Sequence, residues 1–140
     1  MRLIPELPNT RESRRIAYRA MHLIAEANLA AGRDVIVNAC YGHAEDRLAA
    51  EDLARRCGAR LYLVEFHVPL EVALERAAAR LGSHPGSDLT PGRVRMLVSK
   101  FPYSGAGLAV DSTASPEACL AAIEAYLTSH TSPPNPGAGA

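Results

Sequence analysis

Three short apolar runs, residues 34–39, 60–66 and 107–112, each give way to a stretch with helical spacing. That alternation constrains the fold more than any other feature of the chain. Strand, helix, strand, helix, strand, helix implies parallel pairing, because parallel neighbours need a long crossover and a helix supplies it. "RLYLVEF", 60–66, is nearly continuous in apolar character, as befits a strand covered on both faces. "DVIVNACYG", 34–42, runs through Val35, Ile36 and Val37 and turns polar at Asn38. "GLAVDS", 107–112, is the third run. The expected architecture is α/β, a three-layer parallel sheet with flanking helices.

Punctuation between the runs is clear. Thr10 or Ser13 caps a first helix in which Ile16, Ala20, Leu23, Ala27 and Ala30 recur at helical spacing, with Gly32 as the stop. A second helix covers about 44–57, with Ala49, Leu53 and Cys57 on one face. Pro69 opens a third with the stripe Leu70, Leu74, Ala77 and Leu81. "GSHPGSD", 82–88, is a loop. Thr90–Pro91 then starts a helix carrying Val94, Leu97 and Val98, and Ser115–Pro116 repeats the signal ahead of Leu120, Ile123 and Leu127. "RLIPELP", 2–8, holds at most a short edge strand broken by Pro5 and Pro8. Residues 1–130 are expected to form one domain and "TSPPNPGAGA", 131–140, a disordered tail.

Composition narrows the function classes. The formal net charge is zero, which gives the whole chain no electrostatic reason to seek nucleic acid or an anionic membrane. Fourteen of the fifteen basic residues are Arg, the exception being Lys100, a bias compatible with phosphate recognition. Cys40, Cys57 and Cys119 form no CxxC pair, and the histidines show no HxxxH spacing, so no metal site is expected. "YSGAG", 103–107, is too short for a dinucleotide fingerprint and reads as a flexible turn. No stretch reaches transmembrane length and no secretory segment opens the chain, so the expected location is cytoplasmic. In open parallel sheets ligands sit beyond the carboxyl ends of the strands, here near 38–43, 67–69 and 111–114. Tyr41 and His43 are candidates for substrate contact from an exposed loop.

Three stretches resemble a known group. "AAGRDVIVNACYGHAEDR", "LYLVEFHVPLEVALERAAAR" and "GLAVDS" are similar to the later part of P-loop small-molecule kinases, namely the AAA-type kinase-like set that includes chloramphenicol phosphotransferase and zeta-toxin relatives. The likeness runs from about Arg14 to Leu127. It implies a P-loop NTPase or kinase core, ATP with Mg²⁺, and a small-molecule hydroxyl as phosphate acceptor. By the same likeness, Arg76 and Arg80 reach the nucleotide phosphates, where delocalised cations stabilise charge that develops in transfer. Asn38 falls where the family has an acid; an amide there keeps hydrogen bonding but cannot act as a base. Arg47 matches an Arg that contacts substrate or anchors the loop, and Glu6 matches an acid that accepts the hydroxyl proton. Asp111 falls near the region of the nucleotide base.

One departure is large. Residues 1–140 contain no G-x-x-x-x-G-K-[ST] loop, the segment whose amides cradle phosphates, and Met1 stands where the family's chain has already passed it. The expected core therefore lacks its first strand and P-loop. Two functions follow. One is ATP-dependent phosphotransfer to a small-molecule hydroxyl if the P-loop is supplied. The other is a degenerate, non-catalytic kinase fold that acts as a binding or regulatory module. The expected partner is a small molecule or nucleotide, and open strand edges would favour a homo-oligomer.

Overall fold

A computed structural model describes residues 10–80 and 90–130. The chain divides into two compact units, with the boundary between Leu61 and Tyr62. The expected loop 82–88, the residue Leu81, the segment 2–8 and the tail 131–140 lie outside the described residues.

The first unit holds α1 (Arg11–Ala30) and α2 (Ala44–Arg56). Thr10 caps α1, its hydroxyl accepting from the Ser13 amide at 3.1 Å. Arg11, in the first turn of α1, bonds Asp46 at 2.9 Å and also Glu45, both in the first turn of α2. Near the other ends, Arg56 faces Glu26 at 3.7 Å. The three ion pairs join start to start and end to end, so the helices run alongside in the same sense. Asp46 is buried, and the Arg11 guanidinium satisfies a carboxylate that would otherwise be costly to bury.

Two expectations fail in this unit. Ala25 is the buried residue of α1, with Tyr18, Met21, His22 and Leu29 half-buried along the same face. Ile16 and Leu23, from the predicted stripe, are exposed. Helical spacing identifies an apolar stripe but not which of several meets the neighbour, and here the aromatic face of α1 wins. The run 34–39 forms no strand. It has no ladder partner among the described residues, and Ile36 is 97% exposed. β-propensity without a neighbouring strand leaves backbone donors and acceptors unpaired, so the run stays irregular.

The second unit carries the sheet. β1 (Val64–His67) and β2 (Leu108–Asp111) pair in parallel, with Val64 opposite Leu108 and His67 opposite Asp111. Between them the chain makes α3 (Leu70–Ala79) and α4 (Pro91–Lys100), which pack on each other; Ala77 of α3 and Val94 of α4 are buried. Thr90 caps α4, accepting from the Arg93 amide. α5 (Pro116–His130) follows β2 and packs on it over Val110, which is buried. The α/β class and the parallel sense of pairing hold, and the pair consists of strands within the second and third runs. The three-layer sheet does not follow, since the described sheet has two strands. Among the described residues, no helix is long and apolar enough to cross a membrane.

Gly107 leads into β2 where backbones nearly touch. A Cβ there would meet the Leu63 carbonyl oxygen, and would stand 2.7 Å from the Leu63 carbonyl carbon. The Leu108 amide bonds that same oxygen at 2.9 Å, so the close approach is part of the entry into the ladder. Gly107→Ala is expected to cost about 1–3 kcal/mol in urea unfolding. Gly92→Ala is the contrasting variant. Gly92 lies in the first turn of α4 with open space around it, and this change is expected to add about 0.4–1 kcal/mol by reducing the freedom of the unfolded chain.

Candidate functional site

In the second unit the carboxyl ends of the strands gather several polar groups. His67 and Asp111 are register partners there. Ser112, one residue on, donates both its amide and its hydroxyl to the His67 carbonyl, each at 2.9 Å. Arg76 reaches back from α3 and donates to the Ser112 carbonyl at 2.9 Å. Arg80 caps the C-terminus of α3, one turn beyond, and is exposed. The Asp111 carboxylate accepts from the Thr113 hydroxyl at 2.7 Å and amide at 2.8 Å. Those two bonds, with a smaller attraction from Arg76, hold its pKa below the usual carboxylate range. At these strand ends Arg76 is bonded to the Ser112 carbonyl, Arg80 is exposed, and Asp111 is tied into its own turn.

A second polar group lies along β1 itself. Glu65 is only 15% exposed. Burial alone would raise its pKa, but the Ser104 amide at 2.7 Å and the Gly105 amide at 2.9 Å both donate to it. Together with the Ser104 hydroxyl and nearby His67 they outweigh burial, and the pKa falls. Gly105 sits at φ +67, a conformation glycine adopts without a Cβ clash. Tyr103 stacks on the His67 ring at 3.7 Å and accepts from the Val68 amide at 3.0 Å. The turn 103–107 is therefore fastened to β1 at both Tyr103 and Gly105. Beside the sheet, Phe66, Ser112, Pro116, Cys119, Leu120 and Ile123 line an open, mainly apolar recess of about 340 Å³.

In the first unit Asn38 is exposed in the irregular segment between α1 and α2. Three residues on, Tyr41 is half-buried instead of fully exposed. Its ring stacks on Tyr18 at 5.2 Å, and its hydroxyl meets His22 Nε2 at 2.8 Å. The Tyr41 amide donates to the Tyr18 hydroxyl at 3.2 Å, and Arg47 donates to the Tyr41 carbonyl at 2.7 Å. These contacts hold a non-glycine residue at φ +42, a conformation that costs on the order of 1–3 kcal/mol. Burial pushes the Tyr41 hydroxyl up to about 12 and lowers the His22 imidazole, so Tyr41 keeps its proton and His22 stays neutral near pH 7. Arg47 is thereby a loop anchor in this structure. Glu6 lies outside the described residues.

Within each unit the structure brings Arg47 to the Asn38 loop, and Arg76 to the ends of the strands. Sequence reasoning missed the Tyr18–His22–Tyr41 group and the role of Glu65. Both left a signal: Tyr18 and His22 stand four apart on one helical face, and Glu65 is a lone carboxylate inside an apolar strand.

Residues 3–101 match the family model of the AAA domain, which is most of the chain. The chain belongs to the AAA domain family. This family is P-loop NTPase-related and kinase-like, which fits the order of features in the sequence. No curated protein and no solved structure matches it.

The AAA domain family commonly binds nucleotide with Mg²⁺. Exposed arginines on α3 suit phosphate oxygens. Ser104 and Gly105 direct their amides at Glu65, and no group of three or more His, Cys, Asp or Glu side chains stands close enough to hold a metal among the described residues.

Glu65 makes the stability of this AAA domain pH-dependent. Its folded pKa is depressed, so its contribution is full above the ordinary carboxylate range and is lost as pH falls through the folded value. Glu65→Gln is expected to flatten the acid limb of a melting-temperature profile, at pH values below the ordinary carboxylate range. An unchanged limb would mean that the Glu65 bonds do not persist in solution.

Proposed function

We propose that this AAA domain serves ATP-dependent phosphotransfer to a small-molecule hydroxyl, with the phosphate cradle supplied by a loop that residues 1–140 do not encode. The observation that carries the reading is Arg76 held at the carboxyl ends of β1 and β2, with Arg80 one turn further along α3. In this reading the two guanidinium groups contact nucleotide phosphates, where planar donors match phosphate geometry. Asn38 and Arg47 belong to the acceptor side. Asn38 orients the acceptor by hydrogen bonds, since an amide takes up no proton, and Glu6 is the candidate base. Mg²⁺ enters with the nucleotide, and the setting is cytoplasmic.

A second reading is a non-catalytic binding or regulatory module, with self-association through open strand edges. One observation favours it: Arg76 already donates to a backbone carbonyl, as a structural residue would. Calorimetric titration with Mg-ATP separates the two. Phosphotransfer predicts measurable binding at or below millimolar nucleotide, weakened at least fivefold by joint Arg76→Ala and Arg80→Ala substitution. Absence of heat at millimolar nucleotide would exclude catalysis by this chain alone. The second reading then requires a stable oligomer in light scattering, and a monomer would count against it.

A further inference from the structure

The irregular segment between α1 and α2 contains the strained residue Tyr41, and α1 and α2 both hold it. Tyr18 supplies a ring parallel to Tyr41 within 4° and a hydroxyl that accepts the Tyr41 amide. His22, one helical turn on, takes the Tyr41 hydroxyl. From α2, Arg47 takes the carbonyl. The hydroxyl, amide and carbonyl of one residue are therefore each held by a different partner. Few free loops show this: an unconstrained tyrosine would relax to negative φ.

We propose that Tyr41 is a positioning residue: latched by Tyr18, His22 and Arg47, it fixes the conformation of the 38–43 loop and so the place of Asn38. The proposal rests on reading that loop as the acceptor side. In it, Tyr41 touches no substrate; it acts through the backbone three residues away. Arg47 belongs to the same device, since its guanidinium is committed to the loop carbonyl.

The latch also has a protonation state. With the Tyr41 hydroxyl as donor, the neutral His22 ring accepts at Nε2 and carries its own proton on Nδ1. Protonation puts a hydrogen on Nε2, so the Tyr41 hydroxyl must turn to accept, and the imidazolium must be buried among aromatic rings. The groups facing His22 are Tyr41, Asp46 and Arg56; burial and Arg56 oppose its charge, while Asp46 favours it. The net effect is that acidification loosens the latch.

Hydrogen exchange on the free chain tests this, and its outcome does not depend on nucleotide binding. Failure of the Mg-ATP titration and failure of the latch are thus separate results. Tyr18→Phe removes one hydroxyl and keeps the stack, and is expected to speed exchange of the Tyr41 amide about tenfold while the α1 and α2 amides are unchanged. Tyr41→Gly relieves the left-handed backbone but removes the ring, and should speed exchange across 38–43 by tenfold or more. His22→Gln keeps an acceptor for the hydroxyl. It should preserve loop protection at pH 7 and abolish the extra exchange that the unsubstituted chain shows at pH 5, after correction for intrinsic rates. Unchanged exchange at 38–43 in Tyr18→Phe and Tyr41→Gly would overturn the proposal. So would exchange that rises in step with the helix amides, because Tyr41 would then be a general packing residue.

Discussion

The parallel ladder between β1 and β2 is the constraint on which the second unit depends. Parallel strands cannot be joined by a tight turn, so the chain between them must travel, and it does so as α3 and α4. Register then decides what meets at the strand ends. With Val64 opposite Leu108, His67 falls beside Asp111, and Ser112 is the first residue free to fold over the edge. Its two bonds to the His67 carbonyl close that edge, and Arg76 ties α3 to the closure. A slip of one residue would invert the faces of β2 and expose Val110, the best-buried residue of the unit's core.

The first unit is held by different means. Among the described residues its buried apolar side chains are those of Ala25, Leu53 and Ala54. Polar and aromatic contacts supply the specificity that so little apolar volume cannot. The Arg11–Asp46 pair sets the relative position of the helix starts, and the Tyr18–Tyr41 stack sets the segment that joins them. Truncating Arg11 would leave Asp46 a buried carboxylate without its guanidinium partner, the situation in which a charge is most costly.

Legibility in the sequence followed the range of the interaction. Helix boundaries depend on caps and breakers within a few residues, and Thr10, Pro69, Thr90 and Pro116 mark them as the spacing indicates. The parallel sense of the pairing is readable because a helical crossover between strand-like runs admits few alternatives, whereas the choice of neighbours is not. The run 34–39 looked equally strand-like, yet strand formation is a property of two segments, and its own residues carry no information about a partner. The stripe on α1 failed for a related reason. Ile16 and Leu23 have the right period, but contact with the loop selects the face of Tyr18, His22 and Ala25. Site residues were least legible. Spacing puts Arg76 and Arg80 on one face of α3, but the bond from Arg76 to the Ser112 carbonyl and that from Arg47 to the Tyr41 carbonyl depend on backbone paths that spacing does not give.

The fastening of the turn 103–107 has a meaning for anion chemistry. Successive amides at Ser104 and Gly105 converge on one point, with Gly105 in the left-handed region, and that arrangement is an anion nest. Elsewhere such nests hold phosphate or sulfate. Here the occupant is the chain's own carboxylate, delivered from β1 and tethered there. An internal anion has an effective concentration that no dissolved ion matches, so the turn is closed to free phosphate while Glu65 is ionised. A glycine-bearing turn with the geometry of an anion nest is thus an intramolecular clasp on β1.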